Sequence, residues 1–169
     1  RVKASQVELD SATGEITGSI TAINWVDRDT AFIVKFDHPI QKVETLAKAV
    51  ATDAPRYILT FDLGTRQVLE ARIALSTTDV DGARRNLKTA SGLGFDQIRN
   101  RADRSWEALL RRIEITVPAR QKRLFYTALY HALLHPSEIA DADGRVRGPT
   151  GQVIQAKGGV YYSTLSLWD

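Results

Sequence analysis

The chain has 169 residues, 23 lysines and arginines against 20 aspartates and glutamates for a net charge of +3, and 43% hydrophobic residues, an ordinary balance for one or two globular domains with a buried core. The absence of cysteine excludes a disulfide framework, a thiolate zinc site and a cysteine nucleophile. No run of eighteen apolar residues and no basic-then-apolar leader occurs, so these residues hold neither a transmembrane helix nor a signal peptide.

With no methionine and a strand-like pattern already under way at Arg1, the chain is expected to be an internal piece of a longer protein. From Glu15 to Trp25, the polar residues Thr17, Ser19 and Thr21 alternate with Ile16, Gly18, Ile20 and Ala22; from Ala31 to Asp37, Phe32, Val34 and Phe36 share one parity. Period two marks strands with one wet face. The turn Ser11 to Gly14 and the polar run Asp27 to Thr30 bound them, as in an antiparallel meander. Tyr57, Leu59 and Phe61 repeat the pattern, Asp62 to Thr65 turns the chain, and Leu69, Ala71, Ile73 and Leu75 line one side of another strand. Val43 to Ala51 reads as strand or loop. Regular strands with short turns predict a β-sandwich rather than a parallel sheet.

At Ser76 the signal changes. Ser76, Thr77, Thr78 and Asp79 offer several N-cap oxygens, and Ala83, Leu87 and Ala90 follow at helical spacing until Gly92 and Gly94, which predicts a helix over Val80 to Ser91. A longer helix is expected over Phe95 to Ile115, with Ile98, Ala102, Trp106, Leu109 and Ile113 on its apolar stripe and Pro118 closing it. Leu124 to Glu138 then carries Phe125, Ala128, Leu129, Ala132 and Leu133 on one face and Tyr126, Tyr130 and Leu134 on a flanking row, ended by Pro136. Two apolar faces predict a helix buried on most sides, at the seam between two architectures. Beyond it, Asp141 to Gly144 and Gly148 to Gly151 read as tight turns between short strands that end in Val160 to Asp169.

Three features invite other chemistry. Residues 84 to 123 hold eleven lysines and arginines against four acids, +7 where the remainder is −4, but the charges sit on the solvent faces of amphipathic helices and no nucleic-acid motif accompanies them. His131 and His135 have the i, i+4 spacing of zinc-binding helices; no Glu lies between them and Pro136 disrupts the helix end, which favours packing and capping. Asp141 and Asp143 open like an EF-hand loop, yet Arg145 and Arg147 stand where further ligands belong, so a turn with Gly144 at positive φ is the better reading.

Taken in order, Gly14-Glu15-Ile16-Thr17-Gly18, Ile73-Ala74-Leu75-Ser76 leading to Ala83-Arg84-Arg85-Asn86-Leu87, Trp106-Glu107-Ala108-Leu109-Leu110, Phe125-Tyr126-Thr127-Ala128-Leu129-Tyr130-His131, Pro136, Asp141 with Gly144, and Ser166-Leu167-Trp168-Asp169 form a pattern. It resembles glycoside hydrolase family 92, the calcium-dependent exo-acting α-mannosidases, over essentially the whole chain.

The resemblance implies a multi-domain α+β chain: the C-terminal part of an antiparallel β-sandwich over 1–78, a helical linker over 79–118 and, over 119–169, the incomplete start of a catalytic (α/α)6 barrel. It implies removal of terminal α-linked mannose, α-1,2 linkages among them, by an inverting, calcium-assisted mechanism. Partners are mannose-containing glycans and the remainder of the barrel, with no nucleic acid, in a periplasmic or secreted parent. Acid, base and calcium ligands belong beyond the terminal motif, so the chain alone is expected to be inactive. Asp169, with Trp168 beside it, is the residue expected to contact mannose: a carboxylate accepts from two sugar hydroxyls and an aromatic gives the ring an apolar surface. The competing reading has Asp169 capping a following helix and Trp168 filling the core. A non-catalytic carbohydrate-binding or structural domain is the alternative for the whole chain, and the helical region from Val80 to Pro136 speaks against it.

Overall fold

The computed structural model describes residues 2–23, 27–47, 55–65 and 67–163. Strands β1 (Val2–Asp10), β2 (Glu15–Ile23), β3 (Asp27–Phe36) and β6 (Ala71–Ser76) form one antiparallel sheet in the order β1-β2-β3-β6. Strands β4 (Ile40–Leu46) and β5 (Arg56–Phe61) form a second, antiparallel pair. The ambiguous stretch after Gln41 is therefore strand as far as Leu46, and its remainder, from Lys48 to Ala51, lies outside the described residues.

The polar run Asp27 to Thr30 is not a boundary but the first part of β3, paired with β2 through Asp29 opposite Thr21. The reason is a cross-strand bond, Thr21 Oγ1 donating to Asp29 Oδ1 at 2.7 Å, which suits a polar pair on an open face. The turn before β2 forms as expected: Gly14 has φ 66°, and Asp10 Oδ1 accepts from the Ala12 and Thr13 amides.

Two faces of the larger sheet differ. On one, helix α1 (Val80–Lys88) packs against β3 and β6, and Ile33 and Ala83, 1% and 0% exposed, mark the core there. Arg84 ties α1 to β2 through Glu15 Oε1 at 2.7 Å, a bond that raises the guanidinium pKa further above its ordinary value. On the other face, the parity of Phe32, Val34 and Phe36 continues into Ala71, Ile73 and Leu75. Ile73 and Leu75 remain 64% and 59% exposed, while β5 meets β3 through Phe61 and Phe36, with ring centroids 4.8 Å apart. Ile33→Val, which removes one methylene from the covered core, is expected to cost about 1 kcal/mol in urea unfolding; no measurable change would mean α1 does not close over β3.

The described residues fall into two compact units, one holding β1 to β6, α1 and the segment Ala140–Val160, the other holding helices α2 (Phe95–Leu110) and α3 (Ala119–Ala132). Helix α1 stops at Lys88 rather than Ser91, its last turn tightening into i to i+3 bonds from Thr89, Ala90 and Ser91 before Gly92 at φ 80°. Helix α2 stops at Leu110, short of Ile115, where β-branched Ile113, Ile115, Thr116 and Val117 lower helix propensity and Pro118 restricts the residue before it.

Helix α3 corrects a larger expectation. It ends at Ala132 and none of its residues is buried; Leu124 is 62% exposed. Among the described residues α2 is the helix packed on it, with Trp106 and Tyr130 rings 4.6 Å apart and Tyr126 Oη donating to the Ile113 carbonyl, so one side is covered and the other is open.

The Ala140–Val160 segment forms a hairpin of β7 (Arg145–Arg147) and β8 (Val153–Gln155), turning at Gly151 with φ 82°, and a short 3-10 turn at Lys157–Gly159 follows. Of the strand expected over Val160 to Asp169, Tyr162 makes one antiparallel bridge to Glu138, and residues 164–169 lie outside the described residues.

Candidate functional site

The most concentrated chemistry among the described residues lies where β6 hands over to α1. Asp79 is the N-cap, its Oδ1 accepting from the Gly82 amide at 2.6 Å, as its short acidic side chain ahead of a helical run dictates. The residues before it, which the sequence also offers as caps, turn elsewhere. Ser76 and Thr78, 4% and 7% exposed, point their hydroxyls at Asp141 from the β7–β8 segment.

Asp141 is 3% exposed. Its Oδ2 accepts from Ser76 Oγ at 2.7 Å and Thr78 Oγ1 at 2.6 Å, and its Oδ1 accepts from Asn86 Nδ2 at 2.8 Å. Three side-chain donors offset the loss of water around a buried carboxylate. Asn86 works in both directions, since its Nδ2 also reaches the Leu75 carbonyl and its Oδ1 accepts from the Ala142 amide at 2.7 Å. Gly82 makes the approach possible: a Cβ there would stand 2.6 Å from Thr78 Oγ1 and collide with Asp141 Oδ2 and Ser76 Oγ.

Around this centre charges alternate. Arg145 lies between Asp79 and Asp143, at 3.3 and 2.9 Å, and Arg85 Nε sits 2.8 Å from Asp143 Oδ2, out of line for a hydrogen bond. Arg147 closes the junction, donating to the Thr77, Thr78 and Gly151 carbonyls. A half-open cleft of about 440 Å³ borders it, lined by Gln6, Ser19, Thr21, Asp29, Asp79 and Arg147 among others.

What this arrangement does chemically follows from its occupancy. Both oxygens of Asp141 are taken by donors and Asp143 faces two guanidinium groups, so neither offers a cation an unshared carboxylate. No group of three or more His, Asp or Glu side chains able to hold a metal occurs among the described residues. The cluster is a lock rather than a reaction centre. Its sequence signal was indirect: a glycine inside the first turn of a helix, where glycine costs stability, points to a close approach.

The residues expected to meet substrate, Trp168 and Asp169, lie outside the described residues. The histidines form no cluster: His38 pairs with Asp37 at 2.8 Å, His131 stacks near Tyr130, and His135 lies beyond the end of α3.

Comparison with known proteins places these observations. The profile of the glycosyl hydrolase family 92 catalytic domain matches residues 82–169. No curated protein sequence matches the chain. Among solved structures, the family GH92 alpha-mannosidase BT3965 from Bacteroides thetaiotaomicron superposes with a TM-score of 0.83 at 26% identity over 98% of this chain. That enzyme is also known in complex with mannoimidazole. The family GH92 inverting mannosidase BT2199 of the same organism shares the fold, with a TM-score of 0.78 at 22% identity over 94% of this chain. The chain spans 24% of the length of each of these proteins. An antiparallel sandwich followed by helices, a profile match across more than half of the residues, and the superposition on BT3965 agree: the chain belongs to glycosyl hydrolase family 92.

Proposed function

We propose that the polypeptide carrying this chain is an exo-acting α-mannosidase that releases terminal α-linked mannose, α-1,2 linkages among them, from glycans outside the cytoplasm. The observation that carries the reading is the superposition on the α-mannosidase BT3965 over 98% of the chain, and the mannoimidazole complex of that enzyme supports a mannose-type ligand. In an inverting reaction one carboxylic acid protonates the leaving oxygen while a carboxylate on the opposite face activates water, the two standing roughly 6.5–9.5 Å apart to admit it. Both groups are assigned outside this chain, beyond the terminal motif, as the family resemblance implies. Asp169 and Trp168 are assigned to hold the terminal mannose.

Calcium in the parent would bind vicinal sugar hydroxyls. Asp141 and Asp143, whose spacing opens like a calcium loop, do not fit it, being taken by Ser76, Thr78 and Asn86 and by Arg85 and Arg145. Its ligands are therefore assigned to the rest of the enzyme.

The test is release of mannose from an α-1,2-linked mannobiose by the full-length protein, with and without a chelator, beside residues 1 to 169 alone. Cleavage by the parent that chelation abolishes, and none by the fragment, is the expected result. A parent inactive on every α-mannoside would sink the reading, and an active fragment would show that the acid and base lie within these residues.

A further inference from the structure

Helix α1 packs over Ile33, and toward β1 the same sheet face opens into the cleft beside Arg147. Two cross-strand rows line it in register: Ala4, Thr21 and Asp29, then Gln6, Ser19 and Ala31. Each strand contributes residues two apart, which puts all six on the face that carries Ile33. Asp79 and Val80 at the start of α1, with Arg147 of β7, form the rest of the wall. The volume of about 440 Å³ lies within the roughly 300–1,000 Å³ of small-ligand sites.

The groups left open decide what fits. Among the described residues the Gln6 side-chain amide and the Ser19 hydroxyl have no hydrogen-bond partner, and Asp29 shares one oxygen with Thr21 and keeps the other open. The remaining charges are engaged. Arg147 donates to the Thr77, Thr78 and Gly151 carbonyls, and Asp79 holds the Gly82 amide and Arg145. An anion would therefore meet two carboxylates and a guanidinium already bonded. A calcium ion would find one unshared carboxylate oxygen where it takes about six to eight oxygen ligands. A neutral, hydroxyl-rich ring matches what is open. Gln6 and Ser19 both donate and accept, Asp29 accepts, and the methyl groups of Ala4, Ala31 and Val80 offer apolar surface to the C–H face of a sugar.

We propose that this cleft is a sugar-binding site that takes one neutral hexose unit of a glycan; the choice of mannose as that unit rests on the mannosidase reading. No aromatic side chain lines the cleft among the described residues, so ring stacking adds nothing and a single sugar binds weakly.

The experiment uses the full-length protein with labelled alanine and valine methyl groups, followed by NMR and titrated with mannose and, separately, with inorganic phosphate. Mannose is expected to move the Ala4, Ala31 and Val80 signals saturably, with a midpoint in the millimolar range, while those of the fully buried Ala83 and Val146 stay fixed. Gln6 and Asp29 are exposed, so Gln6→Ala and Asp29→Ala leave the fold intact. Each is expected to weaken binding about five-fold, the size of one lost hydrogen bond.

Cleft signals unmoved by mannose at tens of millimolar overturn the proposal. Movement by phosphate in place of mannose overturns it as well, by making the cleft an anion site. Binding by both variants as tight as in wild type removes the groups to which recognition is assigned, and the proposal fails. Contacts from Ala4 or Val80 to protein residues beyond this chain, seen without ligand, would show the cleft already filled and overturn it too. A wild type that cleaves no α-mannoside defeats the mannosidase reading alone, since saturable movement of the three cleft methyl groups by mannose still upholds the site.

Discussion

Replacing Asp141 by alanine is expected to destabilise the first unit by about 3 kcal/mol, the range for removing one partner from a buried charged cluster. The size follows from counting what is stranded. Ser76 Oγ and Thr78 Oγ1 lie 3.0 Å apart and can bond to each other, so one of the two hydroxyl protons finds a new acceptor. Asn86 keeps its bond to the Leu75 carbonyl and loses the one to the carboxylate. One buried hydroxyl is left without an acceptor, at about 1–3 kcal/mol, and the half-buried Asn86 amide loses a charged one. By contrast Asp143→Ala removes contacts to Arg85 and Arg145 that are roughly a third exposed, and is expected to cost less than about 1 kcal/mol. The two variants are compared by urea midpoints at an unchanged slope. Equal costs would mean that the cluster gains nothing from its burial.

The elements were legible where one physical signal dominated. Period two placed β2, β3, β5 and β6, and glycine at positive φ placed the turns at Gly14 and Gly144, because a strand with one wet face and a left-handed turn are each encoded within a few residues. Asp27 to Thr30 misled because polar residues belong equally to a turn and to the open face of a strand, and only the partner Thr21 decides. The burial expected for Leu124 to Glu138 depended on neighbours, and a helix with two apolar faces does not state which of them this chain covers.

The cluster was the least legible part. Locally, Ser76 and Thr78 signal a helix cap, which Asp79 alone provides, and Asp141 signals a turn, which forms. What joins them is a contact across more than sixty positions, 65 between Ser76 and Asp141, and no local pattern encodes it. Asn86 carries no local signal beyond its place in the family pattern, although its side chain makes three of the bonds that hold the junction together.

Gly82→Ala tests the same centre from the helix side, and the local and tertiary terms have opposite signs. In an isolated helix the substitution is favourable by roughly 1 kcal/mol, since alanine loses less backbone entropy. Here the new methyl would stand 2.6 Å from Thr78 Oγ1 and collide with Ser76 Oγ and with the carboxylate, and the three polar atoms are held against one another by their own bonds. Overpacking of that kind costs about 1–3 kcal/mol, and the broken hydrogen bonds add to it, so a net loss of about 2–3 kcal/mol is expected. A double-mutant cycle then separates collision from propensity. Once Asp141 is alanine, one of the three colliding atoms is gone and the carboxylate no longer holds the two hydroxyls in place. Gly82→Ala should therefore cost at least about 1 kcal/mol less in that background than in the native one, a coupling within the range for residues in contact. Additive effects would place the two residues apart and remove the reason offered for a glycine in the first turn of α1.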